Sequence, residues 1–332
     1  MSEYSVSNKE LIIFFVVTFG FTIGMGIIMA FTYTKYSMHG FAQVQMYYPA
    51  IGVMTALLLN NERRKELPMK FYGVYLFLTI TSVFFLLVEI FIFHKDPGTY
   101  ADYLLFPGSI MLVLMYFADE KEKIDRFGLK LGKNVKKSLR YIVLFVILRL
   151  CAAFLSAFIF GDVKEFINIF LSAKTFTGLF MLLLLFPFQF AMFLGEEYGW
   201  RYFLQTALQE RLGKRKGIIL LGFIWGIWHL PLNLFFYSPE APFYSTLNRL
   251  IVCIAYAIFF GFVYMKTKNI WTVSIIHFLN NGLIFYSIEA NIANSGKFVL
   301  INLLCASIVY FPFLFSKEYE KYEKEIELTN DL

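Results

Sequence analysis

The sequence predicts an all-α fold: a polytopic integral membrane bundle of eight to ten transmembrane helices, with a candidate site on three helices of the C-terminal half. Three observations carry this. The 332 residues are 58% hydrophobic and only 16% charged, apolar stretches of membrane-spanning length recur along the whole chain, and Lys and Arg collect in alternate intervals between them. A soluble chain of this length has too little interior to hide 41 Phe beside its Leu and Ile, whereas lipid solvates such residues on every side. A soluble enzyme, a disordered chain and a nucleic-acid binder are excluded on composition. The net charge of +6 matters through its location rather than its sum.

A helix crossing about 30 Å of hydrocarbon needs about 20 residues at 1.5 Å each. Candidates fall at Leu11–Tyr33, Phe41–Asn60, Phe71–Phe93, Ala101–Phe117, Tyr141–Phe160, Thr177–Leu194, Gly217–Tyr237, Asn248–Met265, Ile270–Ile288 and Phe298–Phe315. The first is longer than a cleavable signal segment and is expected to be retained. The second, with Gln43, Gln45 and Pro49, and the fourth, with Pro107 and Gly108, are the weakest, and either could be re-entrant. Placing the N-terminus in the cytoplasm puts 23 of the 30 Lys and Arg in cytoplasmic segments and five outside, at Lys35, Lys95, Lys164, Lys174 and Lys297. Arg149 and Arg249 lie inside spans. Both termini are therefore expected in the cytoplasm, in the plasma membrane of a cell, or in an internal membrane if the source is eukaryotic.

The organisation expected is 1–140 for N-terminal helices and a basic cytoplasmic loop, 141–315 for a catalytic membrane core, and 316–332 for a charged cytoplasmic tail. Cys151, Cys253 and Cys305 all lie in apolar runs without a Cys-x-x-Cys pair, which reads as packing.

Ionisable groups at membrane depth cost a few kcal/mol each on insertion scales, so each one asks for a reason. Glu89 near a span end is expected to reach the interface, Arg149 and Arg249 to snorkel or pair, and His39 and His94 to be solvated in outer loops. Three places differ. In Gly195-Glu196-Glu197-Tyr198-Gly199-Trp200-Arg201, Glu197 and Arg201 are i,i+4 neighbours on one helix face, and Glu196 is rotated about 100° away. Arg201 can thus neutralise Glu197, leaving Glu196 a carboxylate without its own cation, suited to proton transfer. Taken alone, the cluster reads equally as an interfacial cap with a surface ion pair. In Trp225-Gly226-Ile227-Trp228-His229-Leu230-Pro231, Pro231 cannot donate to the carbonyl of Ile227, so a kink beside the histidine is expected. In His277-Phe278-Leu279-Asn280-Asn281, His277 and Asn281 share a face. Each of these two, alone, reads as interhelical hydrogen bonding.

The three converge by arithmetic. Glu196 lies 17 residues before Gly213 and His229 lies 16 after it, so an antiparallel hairpin turning there brings them to one depth. His277 stands nine residues past Lys268, about 14 Å in from the same end, a depth that agrees only if the helix carrying Gln205, Gln209, Glu210 and Arg211 extends beyond the bilayer, as its polarity permits. That places one carboxylate, two imidazoles and a carboxamide together in the cytoplasmic half of the membrane. Such a set can hydrolyse an amide, with Glu196 and His229 activating water and His277 and Asn281 stabilising the oxyanion. Zinc on Glu196, His229 and His277 is the rival use of these groups, although no His-Glu-x-x-His is present. The spacing leaves the metal-free and the zinc uses both open.

Glu-Glu-x-x-x-Arg at Glu196, Glu197 and Arg201, an aromatic-x-x-x-His at Trp225 and His229, and His-x-x-x-Asn at His277 and Asn281, in that order, resemble the CAAX protease and bacteriocin-processing family (CPBP, also called Abi) of intramembrane endopeptidases. The chain is similar in this to type II CAAX prenyl endopeptidases. The resemblance covers about Thr177 to Ile288 and departs from the family's simplest pattern by Trp225 in place of Phe. It implies a helical peptidase whose cavity opens toward one side of the membrane. Glu196 and His229 would act on water, His277 and Asn281 would form the oxyanion hole, Glu197 and Arg201 would hold the site in shape, and Trp225 would shape the pocket. That mechanism fits these residues without a metal, which ranks a metal-free site slightly above zinc. The implied partners are the lipid bilayer and a membrane-associated peptide or lipidated protein, prenylated or of pheromone or bacteriocin type, and no nucleic acid. The competing expectations are a non-enzymatic immunity or scaffold protein on the same fold, or a proton-coupled transporter.

Overall fold

The computed structural model describes residues 5–283 and 295–320, and every regular element among them is a helix. Seven of the described helices are long and apolar enough to cross a membrane: Asn8–Thr32, Met69–Phe91, Thr99–Ala118, Val135–Phe160, Ala173–Leu212, Pro242–Thr267 and Gly296–Phe315. Lys214–Trp228 with Leu230–Tyr237, bent by 42° between them, forms an eighth apolar unit of that length, as a broken span or a re-entrant turn. Large apolar side chains such as Phe31, Phe77, Leu183 and Phe243 stand exposed on the outer surface, as lipid-facing residues do. The expected helical membrane bundle is what the chain forms.

Local chemistry explains where the helices begin. Ser7 caps the first in a reciprocal box with Glu10, and Asn269 caps Ile270–Gly282 by accepting from the amide of Trp271 at 3.0 Å, each satisfying amides that have no partner in the helix. Glu89 corrects an expectation. It is buried rather than interfacial, and its carboxylate takes the amides of Gly98 at 2.6 Å and Tyr100 at 3.1 Å, so its negative charge stabilises the N-terminus of Thr99–Ala118. Arg149 is tied inward as well, donating to the carbonyl of Leu283 at 3.5 Å.

The basic loops gather at one end. Arg63 pairs with Glu10 at 3.2 Å, Arg126 with Glu66 at 2.6 Å and Lys266 with Glu318 at 2.6 Å, while Asn269 donates to the carbonyl of Lys133 at 2.7 Å. At the opposite end, the amide of Ser37 meets Asp96 at 2.8 Å and Gly40 lies against the backbone of Gly98. The alternation of charge along the sequence is thus a separation of charge in space.

The two weak segments resolve differently. Ala101–Phe117 belongs to one continuous helix, Thr99–Ala118, which keeps Pro107 inside it. Phe41–Asn60 divides into His39–Gln45 and Tyr48–Leu58, both buried within the bundle. Glycines make room for this inner segment. A Cβ on Gly52 would strike Thr18 of the first helix, one on Gly195 would strike Tyr75 and the carbonyl of Met46, and one on Gly199 would strike Pro49. Gly195 and Gly199 form a small-xxx-small seam that lets two backbones approach. The same stretch of sequence that carries the glutamates therefore also carries their packing surface.

Of the expected charged tail, residues through Glu320 are described, with Lys317–Glu320 helical. The remainder of the tail, and the later part of the Ile270–Ile288 segment, lie outside the described residues.

Candidate active site

Glu196 is the penultimate residue of a helix, Ala173–Glu197, that continues as the π-helical turn Tyr198–Gln205, an irregularity common at functional sites. Gly213, at φ 78°, then reverses the chain into Lys214–Trp228, a backbone conformation that glycine adopts without strain. This is the hairpin whose arithmetic matched the depths of Glu196 and His229. Beyond Trp228 the helix breaks at His229, two residues before Pro231. The carbonyl capped from elsewhere is that of Trp228, which accepts from Gln45 Nε2 of the inner segment at 2.9 Å. Gly26 of the first helix lies against the Pro231 ring.

The four candidate catalytic residues, Glu196, His229, His277 and Asn281, line a single cavity of about 560 Å³ together with Trp225. Glu197 and Arg201 lie behind it, fully buried. Arg201, one of the 23 basic residues expected in cytoplasmic segments, is instead a core residue, its charge met by Glu197.

Trp225 connects the two halves of the site. Its indole N–H donates to Glu196 Oε2 at 2.8 Å, and its backbone carbonyl lies 2.8 Å from His229 Nδ1. Trp200 adds a second indole N–H to the same glutamate oxygen at 3.3 Å. Among the described residues Glu196 Oε1 receives no hydrogen bond. A carbonyl can only accept, so His229 Nδ1 carries a proton and the neutral ring keeps its lone pair on Nε2. The residue expected only to shape the pocket thus holds both the carboxylate and the imidazole. A Phe at this position would keep the ring and the carbonyl but lose the N–H.

The second glutamate orients the second histidine. Glu197 accepts from Arg201 Nε at 2.9 Å on Oε2 and from His277 Nδ1 at 2.7 Å on Oε1. The Arg201 guanidinium is covered by the rings of Trp225, 4.9 Å away, and Phe260, 5.5 Å away; such cation–π contact suits a desolvated cation. His277 is boxed by Phe193, Trp225 and Phe260, with ring centroids 5.5 to 5.9 Å away. With Nδ1 held, its Nε2 remains for the cavity. Asn281 follows one turn later, its Oδ1 accepting from Asn280 at 3.2 Å.

The zinc alternative meets a geometric obstacle. Among the described residues no three His, Cys, Asp or Glu side chains gather as a bound metal ion requires, so Glu196, His229 and His277 share a cavity without forming a ligand set. Glu196 Oε2 is already committed to two indole donors. The described residues thus offer no ready ligand set for zinc.

The cavity extends toward the end opposite the basic loops. Its rim includes His39 and Asp102, both exposed, and Tyr237 and Arg249. His39 and Arg249 were read as a solvated loop residue and a snorkelling or paired one; both border the cavity. The sequence also assigns no site role to Gln45 or Trp200 and reads Cys253 as packing. Trp200 could have been found by its i,i+4 spacing to Glu196, whereas Gln45 and Cys253 reach the site only through packing between helices.

Residues 175–283 match the family described as "Type II CAAX prenyl endopeptidase Rce1-like". Over those residues the chain is similar to that family. The resemblance read from the three motifs is borne out over that segment, which contains all seven motif residues. A "CAAX prenyl protease 2" of Methanococcus maripaludis is 30% identical over 129 residues, covering 36% of this chain and 47% of that protein. The chain thus spans about half the length of this curated relative. No solved structure matches it. The Rce1-like segment supplies Glu196, Glu197, Arg201, Trp225, His229, His277 and Asn281, while the inner segment that caps Trp228 lies outside it.

Proposed function

We propose that this chain is an intramembrane endopeptidase that hydrolyses a peptide bond with water activated by Glu196 and His229. The observation that carries the proposal is Trp225, whose N–H and carbonyl fix the carboxylate and the imidazole toward the same cavity. Glu196 takes the proton of the attacking water, and His229 Nε2 accepts a hydrogen bond that orients it. Hydrogen-bond donors aimed at the developing oxyanion stabilise it most in a water-poor site; His277 and the Asn281 amide fill that role. To donate, His277 must carry a proton on Nε2 as well as Nδ1, and Glu197 then supplies the opposite charge at 2.7 Å. Proton return from Glu196 to the leaving amine completes the hydrolysis.

The substrate class follows from the Rce1-like segment and the membrane setting: a peptide or lipidated protein held at the bilayer surface. Prenylated and unmodified peptides are both candidates. With the basic end in the cytoplasm, the cavity admits substrate from the other side of the membrane.

Purified chain assayed with and without a chelator, beside Glu196→Gln, tests the mechanism. Activity that survives chelation and is lost in Glu196→Gln supports it. Loss on chelation with rescue by zinc contradicts the metal-free mechanism, and a cellular phenotype untouched by both Glu196→Ala and His229→Ala contradicts the enzyme itself.

A further inference from the structure

Besides its histidines, the cavity is bordered by three side chains that carry a formal charge at neutral pH: Glu196, Asp102 and Arg249. Glu196 is held by two indoles, and Asp102 stands exposed at the rim. Arg249 is half-buried in the wall, and its guanidinium lies over the Tyr237 ring at 4.5 Å. Among the described residues no carboxylate lies within 4.0 Å of it. A cation inside a membrane span is costly and ordinarily pairs or faces a polar cavity. Arg249 does the second without the first.

Its register relates it to the site. Arg249 and Cys253 are i,i+4 on Pro242–Thr267, and Cys253 Sγ lies 3.9 Å from His229 Nδ1. Arg249 therefore sits about 6 Å further along the helix axis, on the rim side, because this helix runs from the rim end toward Lys266 at the basic end. An extended peptide advances about 3.3 Å per residue. A carboxylate held at Arg249 would stand about two residues from the group that faces His229.

We propose that Arg249 is a carboxylate-binding subsite, so that the preferred substrates carry a negative charge about two residues from the scissile bond. This rests on the endopeptidase reading and deepens it. The carboxylate is either the substrate's C-terminus or an acidic side chain. Arginine suits both because its planar fork matches a carboxylate bidentately.

The test uses the full chain in liposomes and a mixed-sequence decapeptide library anchored through an N-terminal myristoyl chain. Three forms are prepared: free C-terminus, C-terminal amide, and amide with one Glu. Cleavage is read as kcat/KM by mass spectrometry, and binding is read separately in Glu196→Gln. The native chain is expected to favour a carboxylate-bearing form by about 10–100-fold, as for a charge-assisted contact. That ratio should fall toward one in Arg249→Gln and recover partly in Arg249→Lys. Preference for the free C-terminus identifies the terminal carboxylate, and equal preference for the Glu-bearing amide identifies the side chain. Cleavage of all three forms at equal rates overturns the subsite and leaves the endopeptidase standing. Arg249-dependent binding without cleavage leaves the subsite and overturns the endopeptidase. Binding that ignores both the carboxylate and Arg249, or no binding at all, overturns the subsite.

Discussion

Glu197 accepts a hydrogen bond from His277 Nδ1 at 2.7 Å across 80 residues of sequence. With Arg201 on its other oxygen at 2.9 Å, this carboxylate is shared between a cation and an imidazole inside a fully buried core. Glu197→Gln leaves an acceptor for His277 but removes the charge opposite Arg201. Breaking a buried pair this way costs about 3–5 kcal/mol, read as a lowered unfolding temperature in detergent. Pairing it with Arg201→Gln should be non-additive by about 0.5–3 kcal/mol. Additive losses would mean that the two side chains do not act as a unit.

Trp225→Phe keeps the aromatic ring and removes the N–H bonded to Glu196 at 2.8 Å. A hydrogen bond to a charged group is worth about 1.5–3 kcal/mol, so kcat/KM should fall by about 10–100-fold with the fold retained. An unchanged rate constant would show that Trp200, at 3.3 Å from the same oxygen, positions the carboxylate alone.

Gly195→Ala and Gly199→Ala place a methyl against Tyr75 and Met46 or against Pro49, on the inner segment's packing surface. Forcing a methyl into a close-packed core costs about 1–3 kcal/mol. Thermal unfolding in detergent should report that loss for both. Gly20→Ala, where nothing stands within 4 Å, should report none.

The membrane orientation is open to labelling. With Cys151, the exposed cysteine, replaced by Ser, a membrane-impermeant maleimide should reach Asp102→Cys in right-side-out vesicles. It should reach Lys130→Cys only after permeabilisation. The reverse pattern would put the basic end outside and the cavity rim in the cytoplasm.

These relationships divide by what a sequence can carry. Glu197 with Arg201 was legible because i,i+4 neighbours share a face, and the two ends of the bundle were legible because charge alternates with each crossing. The hairpin at Gly213 was legible from equal spacing on either side of it. The bond from Glu197 to His277, the indole on Glu196 and the Gln45 amide on the Trp228 carbonyl were not. Each joins different helices, and which groups meet there depends on how closely those helices pack. That closeness is set by Gly26, Gly52, Gly195 and Gly199, whose role appears only when the neighbouring backbone is in place. The inner segment was the least legible, since burial inside a bundle and exposure to lipid call for the same apolar residues.

The most direct test of the central claim is mass spectrometry of peptide products from the native chain reconstituted in liposomes, beside Glu196→Gln and His229→Ala. Prenylated and unmodified membrane-anchored peptides serve as substrates. Internal cleavage by the native chain and none by either variant is expected, with both variants unfolding at the native temperature within a few degrees. Equal cleavage by folded Glu196→Gln would contradict it.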